Sequence, residues 1–192
     1  MAGKRPIVMF AVVGSSPHKA YPWWNRVLAY TLERTDAAIV IVSDGDKGKA
    51  MQDEMIASVA RERPNLDLTR VHATAGLWSI RQSMAVAQEV DVLVGPETGM
   101  LWSVAFNRQV RKIVILSHSS PENFGKHWPN LWQLQPVNTP CYPCHRLHVI
   151  QLSWNYCTQS DLTKAALCAT NLAPERVTRA IQDAVRRPAA AE

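Results

Sequence analysis

Two groups of residues in this chain have types and spacings that could carry chemistry. The first is the stretch Val90 to Trp102, VDVLVGPETGMLW, where an apolar run ends in Gly95-Pro96 and is followed by Glu97, Thr98 and Gly99. This reads as a strand, a tight turn and a helix N-terminus, with helix over Met100 to Asn107. The first N–H groups of a helix have no partner within it, and the helix dipole favours negative charge there. Such a turn either receives a phosphate or is an ordinary strand-to-helix turn capped by Thr98. The second group is the cysteines, all of which follow Pro140. Cys141 and Cys144 form a C-x-x-C pair, and Cys157 and Cys168 come after it. Four thiolates can complete a tetrahedral site for a structural iron or zinc, with His145 and His148 as alternative ligands. Unlinked or redox-sensitive thiols are the other reading.

The elements that must position these residues follow from the apolar pattern. Ile7 to Val13, Ala38 to Val42, Leu68 to His72, Val90 to Val94 and Lys112 to Leu116 read as strands, mostly as continuous apolar runs buried on both faces. Between them fall helices at Trp23 to Glu33, with Pro22 near the first position, at Lys47 to Arg61, and at Ile80 to Glu89 behind Ser79 as N-cap. Leu131 to Leu134 is a short, partly apolar piece. Pro174 opens a last helix to about Arg187, and the tail RRPAAAE should fray. Strands alternating with helices predict an α/β fold, a Rossmann-like parallel sheet flanked by helices, with a Cys-rich C-terminal segment. The expected divisions are a core over 1–135, the Cys-rich segment over 136–170, and the C-terminal helix and tail over 171–192. Ligands of such sheets bind at the carboxyl ends of the strands. Five turns rich in Gly, Ser, Thr or charge sit there: Gly14–Lys19, Ser43–Asp46, Ala73–Trp78, Gly95–Gly99 and Ser117–Pro121. The dinucleotide fingerprint GxGxxG is missing after the first strand, which argues against an NAD-type site.

Composition narrows the partners. The chain has 192 residues, a formal net charge of +5 and 47% hydrophobic residues. That suits a globular domain and an anionic ligand, or at most peripheral contact with an anionic membrane. No run of Lys and Arg exceeds two residues, so nucleic acid is not an expected partner. A basic, metal-bound module on nucleic acid would show strongly salt-dependent binding. The apolar run at the N-terminus makes a good first strand and has no small-residue cleavage pattern after it, so a cytoplasmic protein is expected.

The order of the motifs resembles the C-terminal, donor-binding domain of glycosyltransferase family 9, the heptosyltransferases. Gly14, Ser15, Ser16, Lys19, Tyr21 and Pro22 resemble the small-residue turn, Lys, aromatic and Pro that open that domain. Glu97, Thr98 and Gly99 resemble its D-T-G-x-x-H signature, with Glu for Asp and Trp102 in the place of His. Gly76 to Ile80 resembles the loop that receives the nucleobase. LSHSSPENFGKHWPN resembles the loop of type F-G-x-T-x-P, and ALCATNLAPERV the Cys and I-x-P-E-x-V that close many members. The likeness runs from about Pro6 to Val177 and covers the second domain of a GT-B fold.

The resemblance implies a nucleotide-diphosphate sugar, ADP-heptose-like, as donor for inverting transfer to an acceptor hydroxyl, without a metal at the phosphates. It implies that Lys19, Thr98, Gly99, Ser15 and Ser16 meet the diphosphate, and that Lys19 and Glu97 are the catalytic candidates, Glu97 turned to sugar hydroxyls. Trp78 either stacks on the base or is a rim aromatic. Asp44 and Asp46 are candidates for ribose hydroxyls, Asp46 also for the N-cap of its helix. His118 either touches phosphate or acceptor or is structural. Members related to the autotransporter heptosyltransferases carry a four-cysteine iron site in this region, which Cys141, Cys144, Cys157 and Cys168 resemble. A separate acceptor-domain chain or a homo-oligomer would complete the cleft. The alternative is a non-catalytic module that keeps the nucleotide-sugar pocket without the base.

Overall fold

The computed structural model describes residues 5–14, 16–146 and 157–186. Six strands form one parallel sheet: β1 (Ile7–Ala11), β2 (Ala38–Val42), β3 (Val71–Ala73), β4 (Val92–Pro96), β5 (Arg111–Ile115) and β6 (Leu131–Leu134). Their spatial order is β3-β2-β1-β4-β5-β6, so the strand order reverses between β1 and β4. Among the described residues six α-helices connect or flank them: α1 (Trp24–Arg34), α2 (Gly45–Glu62), α3 (Ile80–Ala87), α4 (Gly99–Ser103), α5 (Leu167–Thr170) and α6 (Pro174–Arg186). None of these helices is long and apolar enough to cross a membrane.

The apolar runs are continuous because both faces of the sheet are covered. Side chains alternate across a strand, so Val8, Phe10, Ile39, Ile41, Val92, Val94, Ile113 and Ile115 enter one core, with α1, α2 and α6. Met9, Ala11, Val40, Val42, Leu93 and Val114 enter the other, beneath α4 and the Phe124–Trp128 segment. Asp91 seals the central seam: its carboxylate accepts the Ile7 N–H at 2.8 Å and its own N–H donates to the Ile7 carbonyl. Tyr21 and Trp23 tie the start of α1 to the segment that leads into α6, donating to the carbonyls of Leu172 and Thr170. The last helix therefore packs back on the core.

Several expected boundaries move, each for a local reason. The third strand begins at Val71 rather than Leu68, because the Asp67 carboxylate accepts the Thr69 N–H and winds Leu68–Arg70 into a 3₁₀ turn. The helix after β2 begins at Gly45 and its N-cap is Asp44, so Asp46 lies inside the first turn rather than at the cap. The helix after Gly99 ends at Ser103, short of Asn107. There the Asn107 side-chain oxygen accepts the N–H groups of Gln109 and Val110 and turns the chain into β5. Leu131–Leu134 is a true edge strand, parallel to β5. Ser79 caps α3 as expected, in a reciprocal capping box with Gln82.

Candidate active site

An open cleft of about 680 Å³ lies at the carboxyl ends of β1, β2 and β4, where the strand order reverses. Rossmann-like sheets bind ligands at this place, because the connections leave in opposite directions and part there. From the connection after β1 come Val13, Gly14 and Lys19. After β2 come Ser43, Asp44, Lys47 and Gly48. The turn after β4 supplies Glu97, Thr98, Gly99, Met100 and Trp102, while Trp78, Ile80 and Ser83 close the wall at the start of α3.

Two glycines shape this wall by what they leave out. A Cβ on Gly14 would stand 2.6 Å from the Lys19 Cβ, so only glycine lets the lysine stem fold back over the turn. A Cβ on Gly48 would collide with the Ser43 hydroxyl. The missing side chain seats that hydroxyl against the first turn of α2. Ser43 Oγ and Thr98 Oγ1 are both buried without a hydrogen-bond partner among the described residues. Unsatisfied buried hydroxyls are rare, and each lies in a residue that lines the cleft.

Lys19 crosses from the β1 turn to the β4 turn and donates to the Glu97 main-chain carbonyl at 2.8 Å. Burial lowers its pKa, and the Glu97 charge opposes that shift. The Glu97 side chain is turned the other way. Its carboxylate accepts the Ser117 N–H, the Ser117 hydroxyl and the Ser119 N–H, and His118 Nε2 stands 3.6 Å away. Burial raises the Glu97 pKa, against these hydrogen bonds and the Lys19 charge. Glu97 thus fastens the loop after β5 to the turn after β4, so its carboxylate is used within the protein.

Of the residues predicted for the site, Lys19, Asp44, Trp78, Glu97, Thr98 and Gly99 come together at the cleft. Ser16 and His118 do not line it. They belong to a polar cluster beside it, in which the Ser16 hydroxyl is 3.0 Å from His18 Nε2 and the His18 and His118 rings meet edge to face at 5.6 Å. Burial, with help from the Lys19 charge, pushes His18 down to about 4, so it is neutral at ordinary pH. Ser15 lies outside the described residues. Thr98 occupies the N-cap of α4, but its hydroxyl makes no capping bond. Ser43, Lys47 and Gly48 were missed as functional residues, although the turn after β2 that carries Ser43 was marked by its polar composition and place.

The four cysteines are unpaired. Cys157 packs against the small cluster of Ala166, Cys168 and Ala169. The pKa of Cys157 is raised, and that of Cys168 is pushed up to about 12, by burial first and then by the neighbouring thiols, including Cys141 and Cys144. Among the described residues, no three His, Cys, Asp or Glu groups stand close enough to share an ion. His148 lies outside the described residues, and His145 is tied to the loop after β5 by its main-chain N–H, which donates to the His118 carbonyl, while its Nδ1 stands 3.4 Å from the Asn123 side-chain amide.

Six parallel strands flanked by helices, with the cleft at the strand-order reversal, define a Rossmann-like α/β fold of the kind that makes up one half of a GT-B fold. Solved structures bear this out. The chain is similar to the ADP-heptose LPS heptosyltransferase II of E. coli, with a TM-score of 0.66 and 12% identity over 96% of this chain and 48% of that one. It is similar also to a glycosyl transferase of family 9 from Veillonella parvula, with a TM-score of 0.62 and 16% identity over 94% of this chain and 46% of that one. The chain thus spans about half the length of the structures it matches, and at these identities the likeness is one of fold. No protein-family profile and no curated sequence matches it.

Proposed function

We propose that this chain is the donor-binding half of a family 9-like glycosyltransferase, taking a nucleotide-diphosphate sugar for inverting transfer to an acceptor hydroxyl. One observation carries the reading: at the strand-order reversal, the helix starts at Asp44 and Thr98, the cations Lys19 and Lys47, and the buried hydroxyls of Ser43 and Thr98 converge on one cleft. A diphosphate would give the buried hydroxyls of Ser43 and Thr98 an acceptor, and would bring two anionic groups to Lys19 and Lys47. As the sugar–phosphate bond breaks, charge grows on the departing phosphate, and preorganised donors lower the barrier by meeting it there. Lys19 would do this, and no metal is invoked at the phosphates. The acceptor and its base would come from a second domain or chain across the cleft.

The alternative, a binding module without turnover, is favoured by the orientation of Glu97. With that carboxylate engaged by Ser117 and Ser119, Asp44 is the other carboxylate among the residues lining the cleft. A thermal-shift panel of ADP, UDP, GDP, CMP and ADP-heptose tests the shared premise. Ligand at about 100 times its Kd should add roughly 2.7 kcal/mol, a rise of a few degrees, and Lys19→Ala should abolish it. No shift with any of these ligands would overturn the donor reading. Turnover on adding an acceptor domain separates enzyme from module.

A structural iron or zinc at Cys141, Cys144, Cys157 and Cys168 belongs to the same proposal. Four unpaired thiols, of which Cys157 and Cys168 have pKa values raised by burial and then by the neighbouring thiols, are a donor set a cation would stabilise, since metal binding takes the thiolate form. The ion would draw the Cys141–Cys144 loop toward Cys157 and Cys168 and pin the segment to the sheet. Elemental analysis of the purified chain should find about one ion per chain, lost with a drop in Tm in Cys144→Ser. Four freely titrating thiols and no metal would refute it.

A further inference from the structure

We propose that Trp102 is the platform on which the sugar ring of the donor stacks, a specificity-determining contact that rests on the donor-binding reading above. The indole lines the cleft and is 53% exposed. It is nonetheless fixed in orientation. Its ring centroid is 4.6 Å from that of Trp128 at 80°, and 5.4 Å from that of Phe124 at 69°. Those two rings are buried and packed on each other at 5.0 Å. Near-perpendicular packing of this kind holds the plane of a ring while leaving much of it open to a further partner.

The position of Trp102 selects that partner. On α4 it lies three and four residues beyond Gly99 and Thr98, hence on the same side of the helix one turn on. Phe124 and Trp128, from the connection between β5 and β6, draw it toward the β5 side of the cleft. Trp78 and Asp44 come from the connections leaving β3 and β2, on the other side of β1. Between them lie Lys19 and the Thr98 turn. A nucleotide sugar is a diphosphate with a ring system at either end. With its phosphates at the β1–β4 seam and its nucleoside toward Asp44 and Trp78, its sugar falls at Trp102. Glu97, the carboxylate that lines the cleft on that side, is already engaged by Ser117 and Ser119. Recognition there rests on the apolar C–H face of a pyranosyl ring against the indole, rather than on hydroxyls bonded to a carboxylate.

Calorimetric titration of the full chain with paired probes tests this: ADP against ADP-heptose, UDP against UDP-glucose, GDP against GDP-mannose. Trp102→Ala should weaken the nucleotide sugar that binds wild type by about 10-fold and its nucleoside diphosphate by less than about 2-fold. Trp102→Phe, which keeps an aromatic face and the packing on Trp128, should recover most of the loss and serves if the alanine variant folds poorly. Phe106→Ala, an exposed aromatic outside the cleft, should change neither. Equal losses for both members of a pair would assign Trp102 to the nucleotide and overturn the proposal. So would unchanged binding of both, including the case in which Trp102→Ala instead dissociates a dimer. Wild type that binds no probe overturns the donor reading and the platform together, whereas wild type that binds a pair with Trp102 indifferent overturns the platform alone.

Discussion

Glu97→Ala is expected to lower the unfolding free energy by about 2–4 kcal/mol, because it strands two buried N–H donors, those of Ser117 and Ser119, and the Ser117 hydroxyl. Burial of the charged carboxylate offsets part of what these bonds contribute, which is why the loss is smaller than three charged hydrogen bonds would suggest. Glu97→Gln keeps the shape but turns an amide NH2 toward one of the donors, so an intermediate loss is expected. The pH dependence has a definite sign. The folded pKa lies above the ordinary 4.5. The stabilising contribution of the protonated carboxyl is therefore complete below about that pH, and is lost as pH rises through the folded value. Glu97→Gln should lack this dependence. Urea titrations between pH 4 and 7 measure both effects, and a loss under about 1 kcal/mol for the alanine variant would contradict the role assigned to the carboxylate.

Lys112 carries the second large effect. Its side chain is wholly buried within β5, and its ammonium donates to the carbonyls of Asn107 and Val110, which close the turn after α4. Lys112→Ala would remove three carbons and the ammonium from an interior strand and leave those carbonyls without their donor, a loss of about 3–5 kcal/mol. Lys112→Met keeps most of the volume and removes a buried charge, so it should cost less than half as much. Burial brings the lysine down to about 8 from 10.5. Between those values the unfolded chain binds the proton and the folded chain does not, so wild-type stability should rise with pH across that window relative to Lys112→Met. A flat difference between the two would show that the ammonium is not held as described.

These two residues also mark what was and was not legible in the sequence. The runs AIVIV and KIVIL announce β2 and β5, since strands covered on both faces need apolar residues at every position. That pattern suggests a lysine at the head of KIVIL should reach solvent, and nothing local indicates that its charge is instead satisfied by carbonyls two and five residues earlier. The strand-turn-helix at Glu97-Thr98-Gly99 was legible for the same local reasons, and so was the cap at Ser79. The direction of the Glu97 side chain was not, because its partners lie 20 and 22 residues away on the loop after the next strand. β6 was half legible. An edge strand has one neighbour, and all four of its residues are partly exposed, so its apolar signal is diluted. Cleft residues such as Ser43 and Gly48 needed the fold, since their significance is that one has no partner and the other has no side chain.

The reversal of strand order has a consequence for how the molecule is made. β1 and β4 lie side by side at the middle of the sheet, yet 80 residues separate the end of β1 from the start of β4. During synthesis the first three strands can assemble early, and until Val92–Pro96 emerges the nascent chain carries β1 with one edge unpaired. Closing so long a loop is slow, and an open apolar strand is where non-native association begins. The bond between Asp91 and Ile7 is then the latch that ends this vulnerable interval. Because the cleft is lined from the carboxyl ends of β1 and β4 together with β2, it comes into being at that moment and not before. A stalled or truncated chain would present a chaperone with an exposed edge and would have no cleft at all.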